Sequence, residues 1–324
     1  MYTSKEILGI INETLASVSY DRSPRGLYDP IRYAMSLGGK RVRPVLLLMV
    51  YNLYHEDIRD ALDAAIGIET YHNFTLLHDD VMDRAEMRRG KPCVHKVWDD
   101  NTAILSGDTM LIQAFQYMQK CSNEKFREIL SLFTNTALEI DEGQQMDIDF
   151  EKRDDVTEPE YLEMIRLKTS VLLACAAKTG ALLAGATEQD ANILYTFAEQ
   201  LGLAFQLQDD FLDVYGDSKT FGKKTGGDIL CNKKTFMLIN ALLNASKEQR
   251  TELQQWIHTD SCDPDRKIEA VTHLYSAIGV DRLAQSRIDS YFAEAGKTLR
   301  SLSIPTEKTH ELWAFALQLM GRKS

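Results

Sequence analysis

Apolar positions recur at intervals of three and four along most of the chain, as in Ile104, Met110, Leu111, Phe115 and Met118. That is the period of an α-helix, and sustained alternation of the strand kind is absent. Only seven prolines punctuate the chain, and the stretches 93–158 and 160–263 contain none, so long helices are permitted there. Start signals agree with the periodicity. Thr157-Glu158-Pro159-Glu160 has the form of a capping box with an early proline, and Asp263-Pro264 is a second helix entry. The opening MYTSKEILGIINETL is amphipathic and carries Glu6 and Glu13, which predicts a first helix rather than a secretory leader. No linker, low-complexity tract or short-period repeat interrupts the pattern. The expectation is one all-helical domain over residues 1–324, an all-α fold.

Composition narrows the class of function. With 324 residues, 44% hydrophobic and 26% charged, the chain can bury a sizeable core. The net charge of −11 disfavours a nucleic-acid or anionic-membrane surface, since both require a basic face. Five scattered cysteines (Cys93, Cys121, Cys175, Cys231, Cys262) lack the C-x-x-C spacing of a zinc knuckle, and their odd number suits a reducing compartment. No uninterrupted apolar run approaches the roughly 18 residues that span a bilayer. A cytoplasmic protein with no integral membrane segment is expected.

One local pattern occurs twice. Leu77-His78-Asp79-Asp80-Val81-Met82-Asp83 is echoed by Leu207-Gln208-Asp209-Asp210-Phe211-Leu212-Asp213. On a helix, Asp79 and Asp83 stand one turn apart on one face, as do Asp209 and Asp213. Both motifs continue apolar stretches, where desolvation makes uncompensated carboxylates costly. A shared hard cation relieves that cost, and Mg²⁺ suits carboxylate oxygens supplemented by water and phosphate. The plain alternative is a solvated acidic face, helped by the helix dipole if it lies near an N-terminus. At ordinary Asp usage about 0.1 match to D-D-x-x-D is expected by chance in this length, so two copies favour the metal reading.

Basic residues accompany each acidic motif. Gly38-Gly39-Lys40-Arg41-Val42-Arg43-Pro44 offers a glycine pair and three charges, and Arg88-Arg89-Gly90-Lys91-Pro92 follows closely on Asp83. After the second motif come Gly222-Lys223-Lys224-Thr225-Gly226-Gly227-Asp228 and Asn232-Lys233-Lys234-Thr235. Arginine grips phosphate oxygens bidentately and lysine acts as a point charge. The order, acid then base, is therefore that of a metal-bound diphosphate held on its far side. No P-loop pattern is present. His78 on its apolar helix reads as a satisfied core histidine.

These segments resemble the trans-prenyltransferases, or polyprenyl synthetases, such as farnesyl and geranylgeranyl diphosphate synthases. The resemblance runs from about Gly38 to Lys234 through GGKRVRP, DDVMD, RRGKP, the GQQMD of Gly143–Asp147, Lys168-Thr169, FQLQDDFLD and GKKTGGD. It implies an isoprenoid synthase-type helical bundle around a central cavity, usually as a homodimer. It also implies that Asp79, Asp83 and Asp209 hold about three Mg²⁺ on the allylic diphosphate, with Asp80, Asp210 and Asp213 in support. Lys40, Arg43, His72 and Arg89 would bind isopentenyl diphosphate. Arg88, Lys168, Lys223 and Lys233 would bind the allylic diphosphate. Thr169, Gln206 and the backbone near Lys168 would face the developing carbocation, and the departing diphosphate would take the proton.

Three rivals share parts of the pattern. A terpene cyclase uses a second metal motif mixing Asn or Asp with Ser or Thr and Glu, unlike Asp209–Asp213. Head-to-head synthases lack GGKRVRP, and an inactive partner subunit loses an acidic motif that this chain retains. Product length is read from geometry. Phe74 and Tyr71 lie upstream of Asp79 on its face, roughly 7 Å and 12 Å along the axis, where two rings would floor a prenyl cavity. DDVMD lacks the two-residue insertion usual in bacterial farnesyl synthases, and Thr75 is small where animal ones usually have a second aromatic. Fifteen to twenty carbons are expected, leaning to geranylgeranyl, with a longer-chain synthase as the alternative.

Overall fold

The computed structural model describes residues 1–121, 124–216, 225–259 and 263–321. Among these the helices are α1 (Ser4–Ser17), α2 (Arg25–Ser36), α3 (Val42–Tyr51), α4 (Leu62–Met82), α5 (Val94–Val97), α6 (Asp100–Gln119), α7 (Phe126–Glu151) and α8 (Glu158–Ile165). There follow α9 (Val171–Leu183), α10 (Glu188–Tyr215), α11 (Gly227–Leu230), α12 (Phe236–Asn244), α13 (Lys247–Ile257), α14 (Pro264–Ile278), α15 (Val280–Leu299) and α16 (His310–Leu319). The paired strands among the described residues are β1 (Met87–Arg88) and β2 (Lys91–Pro92), a hairpin inside the expected basic turn. The all-helical expectation otherwise holds.

The helix starts follow the local chemistry. Thr157 and Glu160 cap α8 reciprocally, and the Asp263 carboxylate accepts from the Asp265 and Arg266 amides ahead of Pro264. The amphipathic opening is α1, itself started by a capping box between Thr3 and Glu6.

Residues pack into two compact units, each assembled from three separate stretches of chain. One comprises Met1–Thr134, Cys175–Tyr195 and Leu302–Phe315. In it α4 lies against α6 and α3. The α3 residues Val45 to Val50 are all buried, as expected of a helix apolar on every side. Buried Asp190 accepts from the Ser303 amide at 2.9 Å and the Ser303 hydroxyl at 2.5 Å, fastening the last stretch to α10. The other unit comprises Asn135–Ala174, Thr196–Ser301 and Ala316–Ser324. There α12, with Phe236 to Ala241 buried, is packed by α8, α14 and α15.

Gly180 on α9 allows a close approach to α3. A Cβ at this position would lie 2.3 Å from the Leu47 carbonyl oxygen, a backbone atom that cannot swing aside. Gly180→Ala is therefore expected to destabilise the fold by about 1–3 kcal/mol, seen as a lower midpoint of thermal unfolding. An unchanged midpoint would contradict this packing.

Candidate active site

The first acidic motif closes α4. Asp79 and Asp80 occupy its last turn and Asp83 is its C-cap. Asp80 is buried and accepts from the Arg88 Nε at 3.0 Å, so it braces Arg88, while Asp79 and Asp83 stand one turn apart. Arg88 is held by the β1–β2 hairpin, whose two turn residues, Arg89 and Gly90, have φ of 53° and 77°. Positive φ at both positions is the type I′ geometry that matches strand twist.

The glycine pair serves Arg89. A Cβ on Gly39 would lie 2.7 Å from the Arg89 Cζ, and Arg89 donates to the Gly38 carbonyl. Arg43 Nη1 lies 3.1 Å from His72 Nε2. Burial, then the charges of Arg43, Arg89, Arg88 and Arg41, hold His72 well below the usual imidazole range. It is therefore neutral and accepts from Arg43. Burial also brings Arg43 down to about 10, with Arg89 adding to the effect and Glu69 opposing it, and it stays charged near neutral pH. Arg43, His72 and Arg89 thus gather in one place, with Lys40 on the same segment as Arg43. Clustered cations of this kind concentrate a field for an anion. Arg41, the middle charge of the motif, plays another part. It is buried with a φ of 48°, pairs with Glu69 at 2.6 Å and donates to the Met35 carbonyl at 2.9 Å.

Below the acids, Phe74 and Tyr71 meet edge to face at 5.4 Å, and Tyr71 meets Phe133 at 5.3 Å. Tyr71 is 1% exposed and Phe74 8%, so the ring nearer the acids is the less enclosed of the two. His78 Nε2 donates to the Ile104 carbonyl at 3.0 Å and its ring meets Phe74 edge to face, the satisfied residue the sequence predicts.

The second unit holds the other half of the predicted residues. Between α8 and α9 the backbone passes through a π-helical turn, Arg166–Ser170, which carries Lys168 and Thr169. Such turns recur at functional sites because they turn side chains out of the helical register. Gly143 of α7 permits this: a Cβ there would lie 2.4 Å from the Lys168 amide nitrogen. Lys168 Nζ donates to Asp147 Oδ2 at 2.6 Å, and Lys233 Nζ lies 3.7 Å from the same oxygen. Asp147 thereby aligns two cations. Thr169 Oγ1 donates to Gln206 Oε1 at 3.4 Å, and Gln206 Nε2 donates to Asp210 Oδ1 at 3.3 Å. The Tyr161 hydroxyl donates to the other oxygen of Asp210.

Asp209, Asp210 and Asp213 fall near the end of α10. Burial pushes Asp210 up to about 7, with repulsion from Asp228 adding to it against the Tyr161 hydrogen bond. Asp228 is pushed up to about 6 by burial and by Asp213 and Asp209. The Asp228 amide donates to Asp213 Oδ2 at 3.0 Å, which brings the end of GKKTGGD onto the second acidic motif. Lys223 lies outside the described residues. Asp147, Asp228, Tyr161 and the Arg41–Glu69 pair carry roles that the motifs alone assign to none of them. Asp147 and Asp228 do stand as the last letters of GQQMD and GKKTGGD, a signal present in the sequence.

Among the described residues, no three His, Cys, Asp or Glu side chains come together closely enough to hold a metal ion by themselves. The donors are all carboxylates, the chemistry that suits a hard cation completing its shell with water and phosphate.

Acid-bearing helices with arginines and lysines fixed beside each define a class, the all-helical enzymes that act on prenyl diphosphates. The polyprenyl synthetase family model matches residues 24–274, and the chain belongs to that family and is a prenyltransferase. It is 45% identical over 220 residues to the geranylgeranyl diphosphate synthase of Methanosarcina mazei, spanning 67% of this chain and 68% of the relative. It is 37% identical to the geranylfarnesyl diphosphate synthase of Natronomonas pharaonis, with 86% of each covered. A crystal structure of a geranylgeranyl pyrophosphate synthase superposes with a TM-score of 0.95 at 46% identity, covering 100% of both chains.

The two cation clusters are expected to separate in kinetics. Arg43→Ala should raise the KM for isopentenyl diphosphate by about tenfold to a hundredfold and leave the allylic KM nearly unchanged, with Arg88→Ala showing the opposite bias. Steady-state kinetics with each substrate varied checks this, and equal effects of both changes on both substrates would contradict the assignment.

Proposed function

We propose that the chain joins isopentenyl diphosphate head to tail to allylic diphosphates and releases mainly geranylgeranyl diphosphate, twenty carbons, rather than farnesyl diphosphate. The observation that carries this reading is the placing of both aspartate motifs in the last two turns of their helices, with Arg88 on Asp80 and Lys233 near enough to act on Asp210. A helix C-terminus carries partial negative charge, so the dipole opposes Asp79, Asp80 and Asp83 on α4 and Asp213 on α10. An acidic surface face gains nothing from that position, whereas a cation site does.

Asp79, Asp83 and Asp209 would hold the metals, about three Mg²⁺, supported by Asp80, Asp210 and Asp213. Bound magnesium would neutralise the diphosphate leaving group of the allylic substrate. Arg88, Lys168, Lys223 and Lys233 would grip that diphosphate, while Lys40, Arg43, His72 and Arg89 would hold isopentenyl diphosphate with its double bond toward the allylic carbon. The allylic carbon–oxygen bond breaks with its electron pair going to the diphosphate. Thr169 and Gln206 would present oxygen dipoles to the positive carbon left behind. The isopentenyl double bond then forms the new carbon–carbon bond, and a proton passes to the departed diphosphate. Holding both substrates together removes the entropic cost of their meeting.

Phe74 and Tyr71 would floor the prenyl cavity, and the small Thr75 leaves length for the twenty-carbon chain. Relatives that make geranylgeranyl and geranylfarnesyl diphosphates support the longer side of the expected range. We read the chain as one domain, because each compact unit is built from interleaved stretches and neither is a continuous segment. A homodimer fits the exposed Ile104, Leu105 and Ile112 of α6, which a second copy would cover. A cytoplasmic location accords with the scattered cysteines, and among the described residues no helix is long and apolar enough to cross a membrane.

Incubation with isopentenyl diphosphate, dimethylallyl diphosphate and Mg²⁺ should give predominantly twenty-carbon product, and EDTA should abolish it. No prenyl product with Mg²⁺, or full activity in EDTA, would overturn the reading. Phe74→Ala should lengthen the product, and an unchanged distribution at good activity would remove Phe74 from the floor.

A further inference from the structure

We propose that Lys267, which belongs to none of the motifs above, is a positioning residue that sets the reach of Lys233 toward the allylic diphosphate. The proposal rests on the role given to Lys233 under the proposed function. Lys267 lies in the early turns of α14 and is 4% exposed. Lysine is almost never so buried without a specific partner, since taking an ammonium out of water is costly. An apolar side chain would fill the same space without that cost.

The partner is Asn232, the residue immediately before Lys233. Lys267 Nζ donates to Asn232 Oδ1 at 2.8 Å, and Asn232 Nδ2 donates to the Ile257 carbonyl at 3.0 Å. Both ends of the amide are therefore engaged, one by α14 and one by the last residue of α13. Asn232 also has a φ of 51°, the left-handed conformation that asparagine tolerates better than most residues. The two side-chain bonds hold it there.

That conformation sets the path of the next three residues. The Asn232 amide donates to the Ile229 carbonyl at 3.2 Å, and the Lys233 amide donates to the Asp228 carbonyl at 2.9 Å. The Thr235 amide then turns back to the Lys233 carbonyl at 2.8 Å. The tight turn directs Lys233 Nζ to within 3.7 Å of Asp147 and ties its backbone to Asp228. Asp228, Asn232 and Lys267 line one small cavity together with Tyr275, so the tether acts directly beneath the acid-and-lysine cluster. Without Lys267, residue 232 loses an anchor of its left-handed turn, and Lys233 loses its fixed reach.

A double-mutant cycle on the full-length enzyme with Mg²⁺ tests this. Lys267→Met should raise the allylic KM about tenfold, the order of one weakened charge-assisted contact, with the isopentenyl KM unchanged. Combined with Lys233→Ala, it should add little to the effect of Lys233→Ala alone. A wild-type allylic KM in Lys267→Met, or full additivity with Lys233→Ala, would overturn the proposal. If Lys267→Met does not fold, Asn232→Gly keeps the left-handed backbone accessible while removing the tether, and it should raise the allylic KM in the same way; an unchanged value would overturn the proposal. A wild-type enzyme without prenyl transfer would remove the functional reading and this one together, whereas an active wild type with an indifferent Lys267→Met removes only the positioning role.

Discussion

Carboxylates at the wrong end of a helix are the constraint around which the rest of the site is arranged. Asp79, Asp80 and Asp83 close α4 and Asp213 lies in the last turn of α10, where the helix dipole already contributes negative charge, with Asp209 and Asp210 one turn before it. Burial adds a second unfavourable contribution, visible in Asp210 and Asp228, both raised far above ordinary carboxylates. The fold answers within each unit by bringing cations to acids: Arg88 to Asp80, and Lys168 and Lys233 to Asp147. The remaining repulsion among Asp209, Asp213 and Asp228 is what a divalent cation would relieve.

The cation side is equally constrained. Arg43 and Arg89 sit close enough to depress His72, and burial is the largest contribution to that effect. Gly39 leaves room for the Arg89 guanidinium, the Gly38 carbonyl accepts from it, and the buried Arg41–Glu69 pair anchors the segment that presents Lys40 and Arg43. A charge given to substrate under the proposed function is thus placed by a neighbouring charge that is spent on a buried ion pair. Lys267, Asn232 and Lys233 repeat that division of labour in the other unit.

Much of this was legible in the residues. Helical period, the Thr157 capping box and the Asp263-Pro264 entry correspond to observed helices, because caps and periodicity are local properties. The spacing of Asp79 and Asp83 needed only helical geometry. The hairpin at Met87–Pro92 was not visible, since two-residue strands are too short to alternate. The π-helical turn at Arg166–Ser170 was not visible either. It packs closely against Gly143, a contact between residues 25 apart in sequence that no local pattern records. Arg41 is one of the three charges of GGKRVRP and proves to be a buried brace, because sequence shows charge but not which way a side chain turns. The roles of Asp147, Tyr161 and Lys267 depend on tertiary partners in the same way.

The central claim is that the two aspartate motifs hold the cations on which carbon–oxygen cleavage depends. Single-turnover prenyl transfer by Asp79→Ala and Asp209→Ala, at saturating substrates and Mg²⁺, tests it most directly. The account predicts rates lower by at least about a hundredfold in each variant, with the helical circular dichroism and unfolding midpoint retained. Rates near wild type in either well-folded variant would contradict it.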